Sequence, residues 1–302
     1  MLGNLELSPI TSMICLTGDT HHDALQTNEQ LWLQERGRAV SEVDISRDYV
    51  QRCERYGVKC TLYVTGRTLA QQWGAFGPIA ASAICEVAGH TYDALPQPPA
   101  ARLKALRRGD VACSHAASHG SYELQAEDVR RTCEIAEQRL GHPIVSWRSH
   151  GFVRDVNTDP ILKAHGIRFI SDELNWDKLY PERLSNGLLS HPVNVIMDHD
   201  HLYHAHRTPA YVAVQRENWS FSDEPTSESY SVESWGDMVL EQVARIDGAG
   251  GVATILAHPI CMYTADGFKT FERLLREFAS LRSIHAREIE EFIHPQEQPA
   301  DT

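Results

Sequence analysis

The chain has 302 residues, 42% of them hydrophobic and 23% charged, a composition that excludes both a disordered chain and a membrane protein. Its 41 acidic against 28 basic residues give a formal charge of -13, which would repel nucleic acid and anionic membranes. Seven cysteines occur without a regular framework and without a CxxC pair, and no export signal is recognisable before the first apolar run. These features predict a reduced, cytoplasmic protein.

Short β-rich runs alternate with amphipathic helical stretches, which is the pattern of βα units around a parallel sheet. Strands are predicted at 13–17, 60–65, 83–87, 144–147, 168–171, 188–197 and 252–257, and helices at 46–56, 67–73, 126–140, 160–164, 234–246 and 268–278. Gly57, Gly141 and Gly166 follow three of these helices, where a left-handed residue ends a helix without a Cβ penalty. We expect a single domain over 1–302, with an insertion or lid at about 95–118 and a flexible tail at about 295–302.

Polar, metal-competent side chains follow these strands at their carboxyl ends, where parallel α/β folds carry their sites. They come after five strands: Asp19, His21 and His22, then His90, then Arg148 and His150, then Asp172 and Glu173, and finally His258. Taken singly, a strand-end Asp is often a helix cap and a strand-end His a surface residue. Their recurrence at successive strands predicts one shared pocket.

Two further histidine groups lie away from these strand ends. His115 and His119 stand four residues apart, a spacing that suits zinc on one helical face, although sixteen histidines make chance pairs common. The stretch MDHDHLYHAH at 197–206 predicts His199 and His201 on one strand face, with His204 and His206 near a turn. This second group is either a rival metal site, a substrate-binding rim or a solvated hairpin end.

Several of these segments, in order, resemble the polysaccharide deacetylases, the NodB-homology superfamily also called carbohydrate esterase family 4, and within it a bacterial branch. LTGDTHH at 16–22 resembles the opening LTFDDG of that family, and GVKCTLYVTG at 57–66 resembles its GxKATFFVTG strand. EVAGHTY at 86–92, VSWRSHG at 145–151 and TILAHP at 254–259 resemble its later motifs. The likeness covers roughly residues 13–280 and implies an α/β fold with a distorted (β/α)7 barrel.

The resemblance also implies a divalent metal, Zn²⁺ first with Co²⁺ or Mn²⁺ as alternatives, held by His21, His90 and a further His with one position open for water. It implies that Asp19 is the base toward that water and that Arg148 keeps Asp19 ionised. His258 would be the acid toward the leaving nitrogen, oriented by Asp172. The remaining candidates are expected to contact substrate: His22, Trp147, His150, His199 and His201, with His150 also a candidate for the metal.

Two departures from the family pattern leave the metal ligands open. Thr20 stands where the family has its second Asp, and Ala94 stands where it has the second His of its pair. Either His90 or the later pair of His115 and His119 is the counterpart of the family's ligands. The likeness favours His90, then His119, then His115.

The expected activity is hydrolysis of a C–N amide bond, with a carbohydrate or other small molecule such as an N-acetylated sugar as substrate. A cytoplasmic location argues against an assembled wall polymer. The alternatives are an allantoinase-like hydrolase of small amides and a catalytically inactive, metal-free barrel that binds carbohydrate or a protein partner. Metal content separates the enzyme from the inactive barrel.

Overall fold

The structure is a computed structural model that describes residues 13–38, 40–93, 121–218 and 228–293. The predicted lid at 95–118 and the predicted tail at 295–302 lie outside these residues, as do Ala94, His115 and His119.

A curled, mainly parallel sheet forms the centre of the described chain. Its strands are β1 (Met13–Thr20), β2 (Cys60–Val64), β3 (Cys85–Gly89), β4 (Ser146–Trp147), β5 (Phe169–Ile170), β6 (Glu182–Arg183), β7 (Leu189–Ser190), β8 (Val252–Leu256) and β9 (Arg282–Ser283). They lie in the order β6-β7-β5-β4-β3-β2-β1-β8, and β9 also pairs with β1. Only the β6–β7 pair is antiparallel among these. The predicted α/β class, a distorted (β/α)7 barrel, is confirmed.

The helices follow the strands and pack their apolar faces on the sheet. They are α1 (Asn28–Glu35), α2 (Glu42–Tyr56), α3 (Gly66–Gln71), α4 (Trp73–Ala80), α5 (Tyr122–Leu140), α6 (Thr158–Ala164), α7 (Asp198–His201), α8 (Pro209–Asn218), α9 (Val232–Gly248), α10 (Pro259–Asp266) and α11 (Lys269–Phe278). Gly57, Gly141 and Gly166 have φ angles of 67°, 79° and 81°, which confirms the predicted left-handed residues. No helix in the described ranges has the length and apolar character needed to cross a lipid bilayer.

The prediction of a strand over 188–197 is wrong for most of its length, because only Leu189–Ser190 joins the sheet as a strand. Further along this segment, the side chain of Asn194 is buried against β8. Its Oδ1 accepts the backbone N–H of Thr254 at 2.8 Å, and its Nδ2 donates to the carbonyl of Val252 at 3.0 Å. The side-chain amide of Asn194 therefore replaces the backbone hydrogen bonds of a strand and holds this segment against β8.

A close approach between β3 and β4 fixes the chain on either side of the site. Gly89 pairs with Trp147, and a Cβ on Gly89 would lie 2.3 Å from Cε3 of the Trp147 ring. Only glycine therefore fits opposite this buried indole. The next residues are held in turn, because the backbone N–H of Arg148 donates to the Gly89 carbonyl at 3.0 Å. This contact sets His90 and Arg148 beside each other at the carboxyl ends of their strands.

Candidate metal centre and active site

The carboxyl ends of β1, β3, β4 and β8 converge on one cavity of about 570 Å³. Asp19, His21, His150 and His258 are among the residues that line it. His90 is 1% exposed and lies directly beside the first three of these. The structure thus brings together the strand-end residues of four segments that are far apart in the sequence.

Three imidazoles form a compact cluster at this edge of the sheet. His21, His90 and His150 each offer one ring nitrogen, and these atoms lie within 4.8 Å of one another. The ring centroids are 5.3 Å apart in every pair. Three imidazoles in such an arrangement are a donor set that suits zinc and leaves a further position for water.

Hydrogen bonds fix which nitrogen of two of these rings faces the cluster. Nδ1 of His21 lies 2.9 Å from a carboxylate oxygen of Glu42, and Nδ1 of His90 lies 2.8 Å from the backbone carbonyl of Arg148. Both Nε2 atoms are buried and have no hydrogen-bond partner. An unpaired buried nitrogen is costly in a metal-free site, whereas carboxylate or carbonyl groups behind a ligand imidazole are the usual support of a metal. The residues present therefore fit a divalent ion.

Glu42, the first residue of α2, was not predicted from the sequence as part of the site. It is 0% exposed, and one of its oxygens also accepts the backbone N–H of His21 at 2.8 Å. Its other oxygen accepts from Nε2 of Gln30 at 2.9 Å. An acidic residue in the first turn of a capped helix is common for helix stability alone. No sequence feature of Glu42 therefore separated it from an ordinary surface acid.

Asp19 lies next to the imidazoles and is held by a buried guanidinium. Its Oδ1 accepts from Nη1 of Arg148 at 2.8 Å, while its Oδ2 lies 3.5 Å from Nε2 of both His90 and His258. Burial alone would raise the pKa of Asp19, but the neighbouring His90, Arg148 and His258 hold it well below its usual range. The carboxylate is therefore ionised and faces the cavity.

Arg148 is held in this position by burial and by several hydrogen bonds. It is 0% exposed, and Nη2 donates to the hydroxyl groups of Thr17 at 3.0 Å and Ser171 at 2.7 Å. Its Nε donates to the backbone carbonyl of Ser171 at 3.2 Å. The guanidinium also stacks over the ring of Tyr63, at 4.2 Å from the ring centroid.

His258 is oriented by Asp198, and the expectation that Asp172 does this is wrong. Asp198 is 0% exposed and accepts from Nδ1 of His258 at 2.7 Å and from its backbone N–H at 2.6 Å. Burial alone would lower the pKa of His258, but Asp198 and Asp19 outweigh it and raise the pKa well above its usual value. Asp172 instead accepts from the backbone N–H and hydroxyl of Ser149, at 2.5 and 3.1 Å, and burial raises its pKa to about 6.

The residues expected to contact substrate fall in different places. His199 lines the cavity, and His150 belongs both to the imidazole cluster and to the cavity lining.

Two of the other expected substrate contacts do not line the cavity. His22 is buried, and its Nδ1 lies 3.2 Å from the hydroxyl of Thr65. Trp147 is buried against Gly89. His201 is also buried, with Nδ1 2.9 Å from the carbonyl of Glu228.

The prediction that His199 and His201 share a strand face is wrong, because both belong to the short helix α7. Asp198 begins this helix, and its two hydrogen bonds to His258 hold the chain close to β8 at that point. The His-Asp-His alternation looks like a strand of period two, but tertiary contacts decide the conformation of so short a segment.

Thr20 points away from the cavity, although it stands where the family resembled above has its second Asp. Its hydroxyl lies 2.9 Å from that of Ser46 on α2, and the residue is 0% exposed. Successive side chains of a strand point to opposite faces. Asp19 and His21 consequently share the cavity side, with Thr20 between them on the helix side.

Comparison with solved structures finds proteins of the same fold. A candidate polysaccharide deacetylase from Mycobacterium smegmatis superposes with a TM-score of 0.66 at 15% identity, over 98% of this chain and 94% of that one. Puue allantoinase gives a TM-score of 0.62 at 8% identity, over 93% and 90%. A candidate polysaccharide deacetylase from Pseudomonas aeruginosa PAO1 gives 0.61 at 10% identity, over 93% and 91%.

No protein-family model and no curated protein sequence matches the chain. At these identities the structural likeness shows the fold and nothing finer. The chain has the fold of the polysaccharide deacetylases, as the resemblance of its motifs predicted.

Proposed function

We propose that this protein is a metal-dependent hydrolase that cleaves a C–N amide bond, with an N-acetylated sugar or a related small molecule as substrate and the whole chain as one catalytic domain. The observation that carries the proposal is the meeting of three imidazoles, two of them with a buried Nε2 that makes no hydrogen bond, beside the ionised Asp19. His21, His90 and His150 would hold the ion, with Zn²⁺ the first choice for an all-imidazole set.

The chemistry that such an ion supplies when bound is a lowered pKa of water and a polarised carbonyl. Asp19 would accept a proton from attacking water, and its hydrogen bond to Arg148, which favours the ionised carboxylate, supports that role. His258, whose pKa is raised by Asp198, would donate a proton to the leaving nitrogen, and its Nε2 lies 3.5 Å from Oδ2 of Asp19. Asp198 is a positioning residue, because it acts only through His258.

The size of the cavity supports a small substrate. A volume of about 570 Å³ lies within the roughly 300–1,000 Å³ that is usual for small-molecule sites. The two candidate polysaccharide deacetylases among the structural neighbours favour an acetyl group as the group removed.

Metal analysis of untagged protein is the first test. We expect about one divalent ion held by the three imidazoles, with that ion lost in His90→Ala and in His150→Ala. His142→Ala is the matched control, because His142 is exposed on the surface and should leave metal content unchanged. If only His119→Ala removes the ion, the assignment of His90 is wrong.

Turnover tests the base. Asp19→Asn should leave the metal bound and lower the rate on N-acetylated sugars by ~10² or more. An unchanged rate would remove Asp19 from the mechanism.

A second candidate function is hydrolysis of a small cyclic or linear amide, which the superposition on an allantoinase favours. Cleavage of allantoin without cleavage of any N-acetylated sugar would select it. A catalytically inactive barrel that binds carbohydrate or a protein partner would instead hold close to no metal and gain no activity from added Zn²⁺, Co²⁺ or Mn²⁺.

A further inference from the structure

A second cluster of possible metal ligands lies in the wall of the same cavity, away from the three imidazoles. Glu29 on α1, His204 after α7 and Cys261 on α10 each offer one ligand atom, and these atoms lie within 4.8 Å of one another. All are buried, at 3%, 4% and 0% exposure. None of the roles described above uses these side chains.

The nitrogen and oxygen atoms that Glu29 and His204 offer here make no hydrogen bonds, although Glu29 lies within ion-pair distance of His206. Oε1 of Glu29 has no hydrogen bond, and neither Nδ1 nor Nε2 of His204 has one. Burying such groups unpaired costs about 1–3 kcal/mol each. A cation bound between these groups would compensate for that cost.

We propose that Glu29, His204 and Cys261 bind a second divalent cation, for which the mixture of carboxylate, imidazole and thiolate selects zinc or a zinc-like ion. Tetrahedral zinc, with ligand distances of about 2.0–2.3 Å, keeps its ligand atoms roughly 3.3–3.8 Å apart. The cluster needs only a small contraction to reach that geometry. His206 would supply a fourth ligand, because its Nδ1 makes no hydrogen bond and lies 3.4 Å from Oε1 of Glu29.

An alternative set that shares Cys261, made with Asp198 and His258, is less suitable. Both oxygens of Asp198 already accept hydrogen bonds from His258, at 2.6 and 2.7 Å. A cation there would have to break this pair, whereas Oε1 of Glu29 and both ring nitrogens of His204 make no hydrogen bond that a cation would have to break.

The first turn of α1 connects the two sites. Gln30 donates to Glu42, which supports His21, and the preceding residue Glu29 faces the second cluster. Glu29 and Cys261 both line the cavity. The second ion would therefore lie at the cavity wall and would face the same substrate space as the first.

Titration of the metal-free full-length chain with Co²⁺ alone tests the proposal, because a thiolate ligand gives cobalt a near-ultraviolet charge-transfer band. The three imidazoles contain no sulfur, so this band reports on the second site only. We expect two equivalents to bind and the band to rise with one of them. Uptake without a thiolate band would overturn the proposal and would leave Glu29 and His206 as a simple ion pair.

Variants assign the band. Cys261→Ser should abolish it, whereas Cys133→Ser and Cys53→Ser should leave it intact; Cys53 is a control because its thiol interacts with that of Cys60 in the core. Glu29→Gln and His204→Gln keep the thiol and should weaken cobalt binding at this site by about 10-fold or more. A band that survives in Cys261→Ser would overturn the assignment.

His90→Ala separates this proposal from the proposed function. It should remove one equivalent of cobalt and keep the thiolate band. Loss of the band together with that equivalent would mean that the cysteine belongs to a single shared centre, contrary to the proposal. A band in a protein that hydrolyses no amide would support the second site while the proposed function failed.

Discussion

The carboxylate of Glu42 should control the metal affinity of the imidazole cluster without being a ligand. It accepts from both the backbone N–H and Nδ1 of His21, at 2.8 and 2.9 Å, and from Nε2 of Gln30 at 2.9 Å. In Glu42→Gln only one oxygen remains, so the new NH2 group must face one of these donors. Gln30 cannot turn its amide over without loss, because its Oε1 already accepts the N–H of Thr27 at the start of α1.

The loss of this support is expected to weaken Zn²⁺ binding by about 10–100-fold, as is usual when the group behind a ligand imidazole is removed. That range corresponds to about 1.4–2.7 kcal/mol. Competition with a chromophoric chelator measures it, and the Cys261→Ser background ensures that only the three-histidine site is titrated.

Glu86→Gln is the matched control for this experiment. Glu86 is a buried carboxylate away from the cavity that accepts from the hydroxyl groups of Thr61 and Ser146, at 2.9 and 2.7 Å. Its substitution should lower stability and leave the zinc affinity of the folded protein unchanged. An affinity unchanged in Glu42→Gln, or lowered equally in Glu86→Gln, would refute the role given to Glu42.

Two other substitutions test the acid and the fold. Asp198→Asn removes a charge-assisted hydrogen bond of about 1.5–3 kcal/mol, so the pKa of His258 should fall by about 1–2 units. His258 acts as an acid only while it is protonated, so activity is lost as the pH rises through its pKa. In Asp198→Asn the basic limb of the pH–rate profile should therefore move to lower pH. A limb that stays in place contradicts the mechanism. Gly89→Ala places a Cβ 2.3 Å from the ring of Trp147 and should cost about 1–3 kcal/mol in urea denaturation. Gly248→Ala, whose Cβ would meet nothing within 4 Å, should show no such loss.

The topology of a parallel sheet is enough to bring the residues at its strand ends together. Once β1 and β8 are recognised as buried apolar runs, the polar residues that follow them must meet at one edge of a parallel sheet. Asp19 and His258 could therefore be placed together from the sequence, and they lie 3.5 Å apart between Oδ2 and Nε2. The expected pairing of Asp19 with Arg148 is present for the same reason.

The groups behind these residues could not be placed in the same way. Asp198 lies 60 residues before His258, in a segment whose alternating pattern predicted a strand and which forms a helical turn. Asp172 had the expected strand-end position, but the hydroxyl and backbone N–H of Ser149 are nearer and hold it. Which acid supports which histidine depends on the path of irregular chain between strands, and periodicity carries no information about that path.

The short elements α1, α4, α7 and α10 were also not predicted, and three of them carry functional side chains. Glu29 and Gln30 sit in the first turn of α1, Asp198 begins α7, and Cys261 lies in the first turn of α10. Helices of eight residues or fewer show little periodicity, so only some of them were recognised, and their stability comes from tertiary packing. Glu29, Asp198 and Cys261 lie on such turns, and none of them was predicted as a site residue.

Thr20 stands where the family resembled above has its second Asp, and its surroundings show whether the proposed metal site can form without that Asp. A second Asp at this position would point toward α2, where Thr20 now meets Ser46, unless the strand end were twisted. His21 is one residue further, on the cavity side, and a buried Glu42 supports its Nδ1. An imidazole with a carboxylate behind it can replace a carboxylate ligand, since it supplies a ligand atom and the carboxylate supplies charge nearby. A threonine at position 20 is therefore compatible with the proposed metal site, because Glu42 supports His21 there.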